Sequence, residues 1–197
     1  MKICVYCSSS SGLNEKYYTA AREFGRVLGR RGHSLVYGGY DRGVMGQVAR
    51  GVAESGGSVT GVVPEFFNFE NFAFPGAEIV RVTTMSERKR TMEGLADAFA
   101  VLPGGIGTLD ELFEVLDLTA LGQLHAPIAA LDISDFFSPL REMFQKLQTE
   151  HFLVRGAVPM GFFSDPTELF SFLEISARPG SAPASQREKT YTKGGRQ

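Results

Sequence analysis

The chain has 197 residues, 43% hydrophobic and 21% charged, with a formal net charge of −2. That length supports one domain with a sizeable core, and so small a net charge offers no field to draw in nucleic acid or an anionic membrane. No apolar run approaches a membrane span, and Met1-Lys2-Ile3-Cys4-Val5-Tyr6 is too short and too soon polar for a signal peptide, so cytoplasmic residence is expected.

Residues 2–7 are apolar and β-prone and predict a strand, followed by the loop Ser8-Ser9-Ser10-Ser11-Gly12. The two cysteines, Cys4 and Cys7, both fall in that strand. Three positions apart they point to opposite faces, which suits core or near-site thiols better than half a zinc site. Tyr17, Ala21, Phe24 and Leu28 recur at helical spacing within 15–31, and Gly32 ends that helix. Residues 34–37 form a second strand. The turn Gly38-Gly39-Tyr40-Asp41-Arg42-Gly43 then opens a helix reaching about Glu54. Val59 to Val63 is a third strand, closed by Pro64.

From Glu65 to Gly76 the chain is rich in phenylalanine (Phe66, Phe67, Phe69, Phe72, Phe74) without a clear period. It reads as a long loop packed over something, either core, a dimer surface or a lid on a base. Residues 79–82 predict a strand and 86–95 a helix carrying Glu87-Arg88-Lys89-Arg90. Ala98 to Leu102 is a buried strand that runs through Pro103-Gly104-Gly105-Ile106-Gly107-Thr108 into an amphipathic helix. Further strands at 128–131 and 159–163 and helices at 135–148 and 166–174 complete the pattern. From Arg178 the composition turns to Pro, Gly, Ser, Lys and Arg, so residues 178–197 are expected to be a disordered tail and 1–177 the folded domain.

Strands alternating with helices predict an α/β fold, a single doubly wound, Rossmann-like parallel sheet with helices on both faces. Ligands of such sheets bind beyond the C-terminal strand ends, where the serine loop and both glycine-rich turns would gather. Two common nucleotide fingerprints are missing. A G-x-G-x-x-G run would need glycine where Asp110 stands, and Val44-Met45 follows Gly43 where a P-loop needs Lys-Ser or Lys-Thr.

The glycines at 104, 105 and 107 still suit an anion, because a strand–glycine–helix junction presents free N–H groups and the positive end of a helix. Thr108 is expected to cap that helix or donate its hydroxyl to a phosphate, and Glu111 to sit on the first turn. An acid beside an anion cradle suggests chemistry on a phosphorylated small molecule. Read without function, the glycines merely shape turns, and Glu87-Arg88-Lys89-Arg90 is a solvated helix face.

Pro103-Gly104-Gly105-Ile106-Gly107-Thr108-Leu109-Asp110-Glu111 resembles the PGGxGTxxE signature of the LOG (lonely guy) family, cytokinin riboside 5′-monophosphate phosphoribohydrolases once labelled lysine decarboxylases. Met85-Ser86-Glu87-Arg88-Lys89 resembles its M-x-x-R-K element, and Val36-Tyr37-Gly38-Gly39 with Gly43-Val44-Met45-Gly46 its second glycine-rich turn. Cys7 to Gly12 is similar to its first loop, and the resemblance covers roughly residues 2–155.

It implies hydrolysis of the N-glycosidic bond of a nucleoside 5′-monophosphate to free base and ribose 5-phosphate, with Arg88 and Glu111 as the catalytic pair. Gly104, Gly105, Ile106, Gly107 and Thr108 would hold the phosphate, Lys89 and Asp110 would line the site, and Ser9, Gly39, Gly43 and Met45 would complete it. No metal or other cofactor is implied. The expected partners are a small nucleotide and a second copy of the chain, in a homodimer packed through helices near Arg88 and Glu111, with neither nucleic acid nor membrane. Tyr40 stands where the family pattern has glycine, Ser8 replaces another glycine, Leu118 and Ala120 replace Trp and Gln, and the 65–78 loop differs. These departures bear on the base recognised, cytokinin or adenine. The alternatives are an AMP or other nucleotide nucleosidase of the same family, or a non-catalytic carrier of a nucleotide or of molybdenum cofactor.

Overall fold

The structure, a computed structural model, describes residues 1–67, 73–153 and 158–178. Seven strands are present among them: β1 (Lys2–Tyr6), β2 (Ser34–Tyr37), β3 (Val59–Pro64), β4 (Glu78–Val82), β5 (Ala98–Val101), β6 (Ile128–Leu131) and β7 (Met160–Phe163). They form one sheet in the order β4-β3-β2-β1-β5-β6-β7, and every neighbouring pair is parallel. The order reverses between β1 and β5, so a crevice opens above the C-terminal ends of those two strands.

Among the described residues six α-helices cover the sheet: α1 (Glu15–Arg30), α2 (Gly43–Glu54), α3 (Met85–Leu95), α4 (Ile106–Ala120), α5 (Ser138–Thr149) and α6 (Pro166–Ser176). The residues of β1 show how both faces are used. Ile3, Val5 and Cys7 join the core under α1, α2 and α6 with Phe24, Leu28, Val48, Val52 and Phe170. Cys4 and Tyr6 join the opposite core under α3, α4 and α5 with Met92, Leu112, Val115 and Phe144. A parallel strand buried on both faces is apolar throughout, which is why β1, β5 and β6 read as continuous hydrophobic runs. Cys4 and Cys7 therefore lie on opposite faces, free and buried.

Several helix starts are set by their own side chains. Asn14 accepts Lys16 N at 3.1 Å ahead of α1. Thr84 accepts Glu87 N at 3.1 Å ahead of α3, while the Glu87 carboxylate accepts Thr83 N at 2.7 Å, closing the turn from both sides. Asp165 accepts Thr167 N and Glu168 N at 2.7 and 3.0 Å ahead of α6. Helices α2 and α4 have no such side-chain cap. Between α1 and α2, a Cβ on Gly25 or Gly51 would stand 2.2 Å from Val48 O or 2.1 Å from Arg22 O, so these two glycines permit the close crossing of the pair.

One expectation needs correction. The helix anticipated over 135–148 begins at Ser138, because Ile133–Asp135 forms a 3-10 turn in which Ser134 and Asp135 have φ of 55° and 56°. Asp132 holds that turn by accepting Phe137 N at 2.9 Å and by pairing with Arg141. Of the phenylalanine-rich segment, Phe69 and Phe72 lie outside the described residues. Phe66 and Phe67 are exposed, Phe74 packs on the α1/α2 core, and Ala73 pairs antiparallel with Tyr40 in an isolated bridge. The tail beyond Arg178 also lies outside the described residues. Among the described residues no helix is long and apolar enough to cross a membrane.

Candidate active site

Backbone bonds tie together three of the loops that follow the strands. Ser8 N donates to Pro103 O at 3.3 Å, and Met45 N donates to Ser8 O at 3.0 Å, so the loop after β1 is held both to the glycine turn after β5 and to the start of α2. Gly43 has φ of 61°, and a Cβ there would lie 2.6–2.8 Å from the backbone of Ser8, Ser9 and Ser10. Any other residue is excluded by strain and by contact. These loops frame a cleft of about 340 Å³, at the small end for a ligand pocket.

One end of the cleft is the start of α4. Gly105 is its N-cap and contributes no side chain, and the first intrahelical bond is Leu109 N to Gly105 O at 3.1 Å. The N–H groups of Ile106, Gly107 and Thr108 precede that bond and face the cleft with the positive end of the helix, an arrangement suited to an anion. Ile106 itself is 83% exposed. Thr108 is not the cap. It lies inside the first turn, 5% exposed, and its hydroxyl oxygen would be 2.1 Å from a Cβ on Gly104. Gly104 thus makes room for Thr108 and does not itself line the cleft.

Arg88 and Glu111 form the floor. They are 7% and 8% exposed, and Arg88 Nη1 donates to Glu111 Oε1 at 2.6 Å while Arg88 Nε donates to Val62 O at 3.1 Å. Arg88 is thus no solvated helix residue, although its neighbour Arg90 is exposed and Glu87 partly so. Glu111 sits on the second turn of α4, not the first, and that extra turn carries it inward. Burial pushes its carboxyl above the usual carboxylate range, opposed by Arg88 and aided by Asp110. Lys89 lines the cleft and pairs with Asp110 at 3.1 Å and with Glu114 at 2.6 Å. The bond to Glu114 raises the Lys89 ammonium above its ordinary value, with Asp110 adding to it.

Of the residues anticipated from the sequence, Ser9, Met45, Arg88, Lys89, Gly105, Ile106, Gly107, Thr108, Asp110 and Glu111 line this one cleft. Gly39, Gly43 and Gly104 do not. Gly39 accepts the Tyr37 hydroxyl at 3.1 Å, and the other two shape the loops as described. Gly38, Tyr40, Pro64, Phe67 and Met85 also line it, as do Cys7, Ser8 and Ser10. Gly38 carries the clearest signal that sequence reading passed over. A Cβ there would be 2.4 Å from Arg88 Nη2, so the first glycine of the turn is the one that makes space for the guanidinium. Cys7 is buried, and burial together with Glu111 raises its thiol, which keeps it neutral.

A family model described as possible lysine decarboxylase matches residues 45–171. The cytokinin riboside 5′-monophosphate phosphoribohydrolase LOG of Oryza sativa subsp. japonica is 40% identical over 157 residues, spanning 79% of this chain and 65% of that protein, just under two thirds of its length. A LOG protein of Arabidopsis thaliana with the same activity name is 37% identical over 153 residues, spanning 77% of this chain and 72% of that protein.

Among solved structures, the molybdenum cofactor carrier protein of Chlamydomonas reinhardtii superposes with a TM-score of 0.67 at 18% identity, covering 89% of this chain and 96% of that one. The molybdenum cofactor binding protein of Rippkaea orientalis superposes with a TM-score of 0.65 at 20% identity, covering 88% and 94%. At such identities the likeness establishes the doubly wound fold. The family match and the relatives near 40% identity go further: this chain belongs to the LOG family, the one described as possible lysine decarboxylase.

Proposed function

We propose that the protein hydrolyses the N-glycosidic bond of a nucleoside 5′-monophosphate of the cytokinin type, giving the free base and ribose 5-phosphate. The observation that carries this reading is the buried Arg88–Glu111 pair, 2.6 Å apart, in the same cleft as the uncapped start of α4. The names of the rice and Arabidopsis relatives support it.

The phosphate sits on the N–H groups of Ile106, Gly107 and Thr108, and the sugar lies over Glu111. As the bond from C1′ to the base nitrogen breaks, positive charge gathers on the sugar, and the Glu111 carboxylate stabilises it. Water forms the new bond to C1′ and gives a proton to Glu111, while the departing base takes up one proton from solvent. A carboxylate made more basic by burial is better at accepting that proton. Arg88 keeps its own proton and acts by charge and by holding Glu111 in place.

A product assay tests the reading. The wild-type protein is incubated with AMP and with isopentenyladenosine monophosphate, and free base is measured, with Glu111→Gln as control. Base release that the substitution abolishes is the expected result. Absence of release from every nucleotide would remove the hydrolase reading and leave a carrier.

The active form in this proposal is a homodimer in the cytoplasm. Ile106, Phe113 and Leu121 are exposed apolar residues on one side of α4, beside the cleft, and a second copy would cover them. Sedimentation should give twice the chain mass for wild type and the single mass for Phe113→Glu. The buried free thiols of Cys4 and Cys7 suit a reducing compartment, which fractionation of the native host checks.

A further inference from the structure

We propose that Glu114, which lies outside the cleft, is a positioning residue that anchors Lys89, and that a phosphate monoester entering the cleft displaces Asp110 from the Lys89 ammonium. The proposal rests on the hydrolase reading for the place of the phosphate, and it names the exchange of charge that selects a dianionic ligand.

The cleft is short of positive charge. Among the described residues its charged lining side chains are Arg88, Lys89, Asp110 and Glu111, two of each sign. Arg88 is already committed, with Nη1 donating to Glu111 and Nε to Val62 O. The start of α4 supplies only about half a unit of positive charge, whereas a phosphate monoester near neutral pH carries close to two negative ones. Among the described residues Lys89 is therefore the lining cation that can turn to the ligand, once a carboxylate releases it.

Its two partners are unequal. Both belong to α4, with Asp110 one turn ahead of Glu114, and Lys89 reaches across from α3 to stand 2.6 Å from Glu114 Oε2 and 3.1 Å from Asp110 Oδ2. The Asp110 side chain is 60% exposed and that of Glu114 31%, so water weakens the Asp110 pair more. The bond to Glu114 also does more than the bond to Asp110 to raise the Lys89 ammonium. Asp110 lines the cleft, and helical side chains lean toward the N-terminus, so its carboxylate lies on the side of the free N–H groups of Ile106, Gly107 and Thr108. A dianion held there repels Asp110 and attracts Lys89, while Glu114, a turn further along the helix, keeps its hold.

The experiment measures dissociation constants of ribose 5-phosphate and of isopentenyladenosine, which carries no phosphate, by titration calorimetry, and KM and kcat for isopentenyladenosine monophosphate. Glu114→Gln should raise KM and the ribose 5-phosphate constant about tenfold, the scale of one charged hydrogen bond, with little change in kcat or in isopentenyladenosine binding. Asp110→Asn should tighten ribose 5-phosphate about threefold, the scale of one exposed ion pair. In a Lys89→Met background Glu114→Gln should add nothing, because an anchor without its lysine holds nothing in place.

A ribose 5-phosphate constant left unchanged by Glu114→Gln, or weakened by Asp110→Asn, would overturn the proposal. So would a Glu114→Gln loss that persists without Lys89, or an equal weakening of isopentenyladenosine, which would make Glu114 a residue of the fold. If the wild type binds these ligands and cleaves no nucleotide, the hydrolase reading falls, and the same dissociation constants still decide the exchange.

Discussion

Arg88 Nη1 and Glu111 Oε1 meet at 2.6 Å although their helices follow strands at different places in the sheet, β4 at its edge and β5 beside its central strand. Both groups are buried, so each compensates the desolvation of the other. Removing one partner leaves the other charged and buried. Arg88→Ala is expected to lower the unfolding free energy by about 3–5 kcal/mol, and Arg88→Met with Glu111→Leu to recover much of that loss. Urea titration of the three proteins measures it. Equal stability of the single and double variants would contradict the pairing argument.

The pair also predicts a pH dependence of turnover. Glu111 must be ionised to stabilise a cationic sugar, and burial holds its carboxyl above the usual range. The acid limb of log(kcat/KM) should therefore lie above the ordinary carboxylate value of 4.5, with activity lost as pH falls through it. Asp110 contributes to the upward shift and Lys89 opposes it, so Asp110→Asn should move the limb to lower pH and Lys89→Met to higher pH. A limb that stays in place in both variants would mean that another group controls it.

Gly38 is expected to be required for the position of Arg88 and not for the fold. A Cβ there would fall 2.4 Å from Arg88 Nη2, the far end of a flexible side chain that can move aside. Gly38→Ala should keep the melting temperature near wild type and lower kcat by about a hundredfold, the scale of a misplacement near 1 Å. A large fall in melting temperature would instead make Gly38 a folding residue.

A second ionisable cluster lies far from the cleft, where α6 meets α1 and β2. Glu174 accepts from Arg31 Nη1 at 3.0 Å and lies 2.9 Å from His33 Nε2, and the Met1 amino group is 3.5 Å from His33 Nδ1. Burial lowers His33 below its ordinary 6.5, against the bond to Glu174. Glu174 is lowered as well, because its bonds to Arg31 and His33 outweigh its burial. Both groups bind more protons unfolded than folded, within the windows below 6.5 for His33 and below 4.5 for Glu174. Their contribution to stability is complete above those values and is lost as pH falls. Thermal unfolding from pH 7 to pH 4 should show this decline, and His33→Gln should flatten its upper part.

Much of this architecture was legible along the chain. The alternation of apolar runs with helical spacing determines seven strands, six helices and a doubly wound parallel sheet, because a strand buried on both faces and a helix buried on one have different periods. Arg88 and Glu111 were legible as parts of two spaced motifs, but their burial was not. Glu87, Arg88, Lys89 and Arg90 look alike in sequence, and only the approach of α3 to β3 and α4 turns Arg88 inward onto Val62 and Glu111. Likewise Thr108 looks like a cap, and only the turn of Gly105 ahead of α4 places it inside the helix.

The tertiary structure alone decided which glycine serves which purpose, and which loops share the cleft. Gly38, Gly39, Gly43 and Gly104 are the same residue type in similar turns, yet the first faces Arg88, the second binds Tyr37, the third faces the serine loop and the fourth faces Thr108. Tyr40 and Phe67 come from two separate connections and Met85 from the start of α3, and nothing in their local spacing brings them together. The order of strands in the sheet does so, because it fixes the lateral positions of loops whose sequence separations carry no such information. Periodicity is a local property set by the geometry of one helix or strand, whereas a site between loops is set by pairings distant in sequence.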